Sequence, residues 1–160
     1  MVLNMHNMDK QTRVRRGIGA QLLLHFAREI YWEQLERGCH FVHEHPAGAR
    51  SWADEEMRKI MADPRVGSVV GDQCQYGHGY VDDEGTRRPV RKATRWLSSA
   101  PAVLERLGHR CQGGHRHQAL IGGRAAAAAV YPPQLCRAIL RGAEAQRRRG
   151  GQALPRAVLA

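Results

Sequence analysis

The sequence predicts an α/β fold: a small, mostly parallel sheet flanked by helices, partly Rossmann-like, with a second half rich in loops. Two short extended segments, 39–44 and 66–71, enclose a stretch with the apolar spacing of a helix. A strand–helix–strand unit favours parallel strands joined by a right-handed crossover. The glycine-rich, charged residues after position 77 predict surface loops.

The length of the chain, 160 residues, is sufficient for one hydrophobic core. Residues 1–18 are polar and are predicted to form a flexible leader. Residues 19–149 are predicted to form a single α/β domain, and residues 150–160 a disordered tail.

The elements of the first half follow from apolar spacing and capping residues. A helix is predicted over 20–37, where apolar residues recur every three or four positions. After the strand at 39–44, Ser51 and Asp54 match the S-x-x-[DE] pattern that caps a second helix. The strand at 66–71 is largely apolar, which is typical of a strand buried on both faces.

The second half has shorter patterns. Residues 77–90 are predicted to form a surface loop and the segment RKATRWLSSA a further strand. A helix is expected over 101–107, a short alanine helix over 125–129, and a final helix from Pro133, a residue well suited to a first helical turn.

The charge of the chain indicates a polyanionic partner. Twenty-five basic residues against 15 acidic ones give a formal net charge of +10, which attracts nucleic acid first. A solvated basic face without a partner is the alternative. The basic residues predicted to contact nucleic acid are Arg87, Arg88, Arg91, Lys92, Arg95, Arg147, Arg148 and Arg149.

The compartment is predicted to be intracellular, either nuclear or cytoplasmic. No secretory signal is recognised, and no segment approaches the roughly 20 apolar residues of a transmembrane helix, so no membrane partner is expected. The four cysteines contain no C-x-x-C pair and are expected to stay reduced.

An acidic pair is predicted at the ends of the two parallel strands. Glu44 leaves the first strand and Asp72 the second, and ligands of open α/β sheets bind beyond the carboxyl ends of such strands. These two carboxylates are the candidate catalytic groups. Capping of nearby N–H groups is the alternative role.

Cysteine and histidine spacings suggest a metal site. The patterns are Cys74-x-x-x-His78 and Cys111-x-x-x-His115-x-His117, whose side chains are zinc ligand types. The alternatives are ordinary buried cysteines with surface histidines, or Cys74 as a nucleophile. The turn at 122–124 is a further candidate, for phosphate at a helix N-terminus.

The order of short motifs along residues 38–142 resembles a known family. The motifs are HFVHEHPAGARSW, VGSVVGDQCQYG, RKATRWLSS, RCQGGHRH and YPPQLCRAIL. Together they look like the C-terminal half of a cytosine-5 DNA methyltransferase-like domain, as found in retroelement-type polyproteins of protists. By position, the resemblance implies that Glu44 corresponds to the glutamate that contacts the target cytosine, although His45 replaces the family's asparagine.

The resemblance also implies what the chain lacks for catalysis. Neither the family's glycine-rich S-adenosylmethionine loop nor its Pro-Cys nucleophile loop is recognised in this sequence. We therefore expect a non-catalytic or degenerate methyltransferase-like, mobile-element-derived domain that binds DNA or RNA and has no cofactor. Self-association, or a second chain that supplies the missing half of the sheet, is expected.

The alternative function is a small zinc-binding module. Its predicted ligands are Cys74, His78, Cys111 and His115, with His117 as a further candidate.

Overall fold

The computed structural model describes residues 9–82, 84–118 and 130–150. The predicted alanine helix at 125–129 and the turn at 122–124 lie outside these ranges. The elements are α1 (Lys10–Glu36), β1 (Val42–Pro46), α2 (Glu55–Ala62), β2 (Gly67–Asp72), β3 (Gly79–Val81), β4 (Arg87–Pro89), β5 (Ala93–Ser98), α3 (Pro101–Leu107) and α4 (Pro133–Arg149), with 3-10 turns at Arg50–Ala53 and Gln73–Tyr76.

The main sheet is antiparallel, so the predicted mostly parallel, partial Rossmann-like sheet is wrong. Its strand order is β1-β5-β2, and β5 runs antiparallel to both neighbours. Glu44 and Val69 both lie opposite Trp96, which shows that β1 and β2 point the same way without pairing. The strand–helix–strand unit is present, but a later strand occupies the position between its two strands.

Burial explains why β5 occupies the centre of the sheet. Adjacent residues of a strand point to opposite faces, and in β5 both Trp96 and Leu97 are almost fully buried. A strand that buries large side chains on both faces needs cover on both sides. By contrast, β1 has exposed residues at both ends and suits an edge.

Two hydrophobic clusters lie on the two faces of this sheet. Trp96 packs with residues of α3 and α4, including Leu107 and Leu135. Leu97 packs with residues of α1 and α2, including Leu35 and Met57. The helices therefore cover both faces, and residues 77–90, predicted to be a loop, form the short antiparallel hairpin of β3 and β4.

The first helix begins well before the predicted position at residue 20. Asp9 caps it by accepting a hydrogen bond from the backbone N–H of Thr12 at 2.8 Å. The helix ends before Gly38, whose φ of +66° suits glycine. The described part of the predicted leader is thus helical.

The second helix is capped by Asp54 rather than Ser51. The Asp54 carboxylate accepts a hydrogen bond from the backbone N–H of Met57 at 3.0 Å. It accepts a second one from Nη1 of Arg28, in α1, at 2.5 Å. Ser51 lies in the preceding 3-10 turn. The cap therefore also attaches α1 to α2. None of the helices in the described ranges is long and apolar enough to cross a membrane.

Helices α3 and α4 approach closely at Gly142. A Cβ built on Gly142 would lie 2.7 Å from the Cα of Val103. Farther along α4, the Gln146 side chain accepts the backbone N–H of Ala102 at 3.1 Å, which satisfies a free donor at the start of α3. The absence of a side chain at position 142 sets the distance between the two helices.

We expect Gly142→Ala to destabilise the protein by about 1–3 kcal/mol, because the added methyl group meets backbone that cannot move aside. Gly17→Ala in α1 is the matched control, since a Cβ there would have no neighbour within 4 Å. The control should be neutral or stabilising by up to about 1 kcal/mol. Urea denaturation measures both, and equal effects would contradict the close approach.

Candidate metal centre

Four metal-ligand side chains meet at one end of the sheet. The ligand atoms of Cys74, Cys111, His115 and His117 all lie within 4.8 Å of one another. Cys111 Sγ is 3.6 Å from His115 Nε2 and 3.4 Å from His117 Nε2, and the two Nε2 atoms are 2.9 Å apart. Two segments distant in sequence therefore supply one cluster.

The two sulfur–nitrogen separations match a tetrahedral zinc ion, whereas the Nε2–Nε2 distance of 2.9 Å is shorter than such a site requires and would have to widen on binding. With bonds of about 2.3 Å to sulfur and about 2.05 Å to nitrogen, tetrahedral ligands lie about 3.5 Å apart for a sulfur–nitrogen pair and about 3.3 Å apart for two nitrogens. The observed sulfur–nitrogen distances fall on either side of the first value. The two cysteines and two histidines also match the soft ligand set that zinc prefers.

Local backbone structure brings the three ligands of the second segment together. Gly113 and Gly114 have φ of +90° and +82°, a region that favours glycine and lets the loop fold back on itself. The N–H of Gly113 donates to Cys111 Sγ at 3.4 Å. Such a donor stabilises negative charge on sulfur, as a metal-bound thiolate requires.

The carboxylate of Asp72 connects the two ligand segments. Asp72 is fully buried at the end of β2, two residues before Cys74. One of its oxygens accepts hydrogen bonds from the backbone N–H of Cys111 at 2.9 Å and from Nε of Arg110 at 3.0 Å. The other oxygen accepts a hydrogen bond from Nε of Arg91 at 3.3 Å. Its own N–H donates to the carbonyl of His109 at 2.9 Å.

The surroundings of the centre favour an ionised Asp72 and a protonated Cys74 thiol. Burial alone would raise the pKa of Asp72, but the Cys111 N–H and the two guanidinium groups outweigh it and lower that pKa. Burial, followed by the hydrogen bond with Cys111, raises the pKa of the Cys74 thiol. A bound divalent cation would reverse the shift at Cys74, because it stabilises the thiolate directly.

The raised pKa of Cys74 bears on its alternative role as a nucleophile. A catalytic thiol needs a lowered pKa and a paired base. Burial of Cys74 and its hydrogen bond with Cys111 raise the pKa instead. The microenvironment therefore disfavours the nucleophile interpretation.

His78 does not join the cluster. His117 provides the fourth ligand that the predicted four-residue zinc set had assigned to His78. His78 is buried beside β3, and its backbone pairs with Gln73 and Val90. The spacing Cys111-x-x-x-His115-x-His117 was visible in sequence. What the spacing did not show is that three ligands come from that loop and only one from the segment containing Cys74.

The structure does not bring Glu44 and Asp72 together. They lie on strands separated by β5, opposite Trp96 and Ala93 respectively, and this odd offset directs regular strand side chains to opposite faces. Glu44 lies 3.9 Å from Lys92 Nζ. Each carboxylate therefore has its own basic partner.

The histidines near Glu44 form part of the packing between α1 and the sheet. His43 Nδ1 lies 2.7 Å from the hydroxyl of Tyr31, and its ring centroid is 5.2 Å from that of Trp52. The His45 ring stacks beside it at 5.9 Å. Within the described ranges these rings are not part of a metal cluster.

All eight basic residues predicted to bind nucleic acid have intramolecular partners. Arg88 pairs with Asp82 at 2.5 Å, Arg149 makes two contacts of 2.8 Å with Glu105, and the Arg95 guanidinium lies 5.3 Å from the centre of the Trp52 ring. The remaining pairs are Arg87 with the carbonyl of Gly77, Arg91 with Asp72, Lys92 with Glu44 and Arg148 with Glu144, and Arg147 also has an interaction partner.

A different set of arginines lines a cleft of about 240 Å³ beside the metal centre. Arg106, Arg137 and Arg141 surround it, and none of them forms a salt bridge within the described part of the chain. His109 and Tyr76, each two residues from one of the candidate metal ligands, also line it. Sequence reasoning missed this set, because the three arginines belong to two helices and form no run.

Comparison of the chain with protein-family models, curated proteins and solved structures gave no match.

The buried imidazole of His43 is expected to make stability depend on pH. Burial, with a contribution from His45, lowers the pKa of His43 from 6.5 to about 4. Between these values the unfolded chain binds a proton at His43 and the folded chain does not. Acidification through this window therefore destabilises the protein, by on the order of 2 kcal/mol after allowance for partial exposure.

Comparison with His43→Gln isolates this contribution. From pH 7 to pH 4.5, the unfolding free energy of the wild type should fall by about 1–2 kcal/mol more than that of the variant. Urea denaturation at each pH measures it, and His25→Gln, at an exposed site on α1, controls for the loss of one imidazole. Parallel pH profiles for wild type and His43→Gln would contradict a buried neutral His43.

Proposed function

We propose that this chain is a small zinc-binding module in which Cys74, Cys111, His115 and His117 hold a structural zinc ion. The convergence of four ligand atoms from two distant segments, within 4.8 Å of one another, carries the proposal. Two further features support it: the N–H that donates to Cys111 Sγ, and the buried Asp72 that positions the same residue.

The ligand set indicates a structural rather than a catalytic zinc. Four protein ligands fill a tetrahedral shell, whereas catalytic zinc sites keep one position for water or substrate. In this chain, the ion would clamp the loop after α3 to the 3-10 turn after β2. The free energy of metal binding would then contribute directly to folding.

The first expected result concerns zinc content. Protein purified without chelator should carry about one equivalent of zinc, and Cys111→Ser or His117→Asn should remove most of it. Cys39→Ser is the matched control, because Cys39 is exposed and lies outside the cluster. Elemental analysis measures the ratio, and less than about a tenth of an equivalent in the wild type would overturn the proposal.

Two further variants test the arrangement of the site. Asp72→Asn should weaken zinc binding by about 10–100-fold, since it removes the anion that positions Cys111. His78→Gln should retain zinc, because His78 lies outside the cluster. Competition with a chromophoric chelator measures both affinities, and loss of zinc from the His78 variant alone would restore the four-ligand set Cys74, His78, Cys111 and His115.

A second candidate function, binding of a nucleic-acid backbone, is favoured by the arginine cleft. Three guanidinium groups without salt-bridge partners line one concave surface, and guanidinium matches phosphate in geometry and charge. The net charge of +10 would draw a polyanion toward it. Tyr76 and His109 belong to the two segments that the zinc ion would join, so the zinc would support one wall of the cleft.

Two double variants distinguish the contribution of the cleft to binding from that of the basic end of α4. Arg137→Ala with Arg141→Ala should weaken binding of a single-stranded oligonucleotide about tenfold or more at low salt, and should reduce the dependence of affinity on salt. Arg148→Ala combined with Arg149→Ala removes the same charge, but these two guanidinium groups are already paired with Glu144 and Glu105. This control pair should have a clearly smaller effect.

Fluorescence anisotropy over a range of salt concentrations measures these affinities. Equal losses for the two pairs would show that net charge alone attracts the oligonucleotide. Wild-type affinity that does not change with salt would contradict phosphate binding altogether.

A further inference from the structure

One side of α1 carries a row of exposed apolar residues. Val14, Ile18, Leu22, Phe26 and Ile30 are all more than a third exposed, and Leu22 is 64% exposed. Successive members of the row are four residues apart and therefore about 40° apart around the helix axis. The row winds about 160° around a helix about 40 Å long, with Ile18, Leu22 and Phe26 at its centre.

The opposite side of the same helix contacts the domain. Leu24, Tyr31 and Leu35 pack into the cluster around Leu97, and Arg28 bonds Asp54 at the start of α2. The first half of α1 extends away from these contacts. The apolar row consequently faces away from the core that the chain forms with itself.

The row is symmetric about Leu22. If a second α1 lies antiparallel with its Leu22 opposite this one, then Ile18 faces Phe26, and Val14 and Ile30 lie about 80° to either side of the contact. The pair of Ile18 and Phe26 recurs on the other side of the two-fold axis. A surface that complements itself in this way is what an isologous dimer requires.

The charges beside the row favour the antiparallel arrangement. Arg15 and Glu29 are seven residues before and after Leu22 and lie within about 20° of it around the helix, so each Arg15 would face a Glu29 of the second copy. A parallel pair would place like charges opposite each other. The wider distribution agrees: the first half carries Lys10, Arg13, Arg15 and Arg16, and in the second half Glu29, Glu33 and Glu36 outnumber Arg28, which is paired with Asp54.

This charge distribution is unfavourable for an isolated helix. The helix dipole favours acidic residues at the N-terminus and basic residues at the C-terminus, and α1 has no acidic residue in its first turn and no basic residue in its last. An antiparallel partner reverses the effect, because it places opposite charges and opposite dipole ends side by side.

We propose that α1 is the interface of a homodimer, with the two-fold axis at Leu22 and the two helices antiparallel. The exposed apolar residues amount to roughly 600 Å² per copy, near the roughly 800 Å² that each partner contributes to a standard interface. This inference is independent of zinc and of the arginine cleft, and the dimer would present two copies of the module.

The first test places a charge on the axis. In analytical ultracentrifugation at about 50 µM, the wild type should sediment as a dimer and Leu22→Glu as a monomer, since the variant sets two carboxylates together in an apolar contact. Leu140→Glu on α4 is the matched control, because Leu140 is also 64% exposed. It should remain dimeric.

A charge exchange tests the antiparallel register. Arg15→Glu or Glu29→Arg alone should weaken dimerisation several-fold, and the double variant should restore it, because each new pair is again opposite in sign. Circular dichroism confirms that each variant stays helical. A monomeric wild type, a dimeric Leu22→Glu variant, or a double variant no better than the singles would each overturn the proposal.

Discussion

The buried carboxylate of Asp72 is the interaction on which the arrangement of the molecule depends. A fully buried charge is tolerated only when its oxygens are satisfied by donors. Here the donors come from the loop after α3 and from the connection between β4 and β5. The requirement to satisfy one anion therefore holds two separate parts of the chain at the end of β2, and the four candidate metal ligands assemble around this junction.

The centre and the core support each other through the central strand. β5 buries Trp96 on one face and Leu97 on the other, and each is the focus of one cluster. The segment that leads into β5 supplies Arg91 to Asp72. With only 6% aromatic residues in the sequence, both clusters are small. A zinc ion would add stability where apolar burial is limited.

The arginines of the protein fall into two groups that the net charge does not distinguish. Many arginines neutralise nearby carboxylates or cover aromatic rings, and these contacts hold loops and helix ends in place. The arginines around the cleft form no salt bridge in the described structure, and of the three only Arg106 contributes to lowering the pKa of a carboxylate, that of Glu105. The distinction is physical: a phosphate can bind a guanidinium group readily only where no carboxylate must first be displaced.

The sequence by itself determined the local features: the amphipathic helices at 101–107 and after Pro133, the extended segments around Glu44 and Val69, and the cysteine–histidine loop from Cys111. These depend on neighbours a few residues apart, so spacing reveals them. Only the tertiary structure decided that β5 lies between β1 and β2, that His117 rather than His78 completes the cluster, and which arginines form no salt bridge in the described residues. Those outcomes depend on which distant segments share a buried face, and no local pattern encodes that choice.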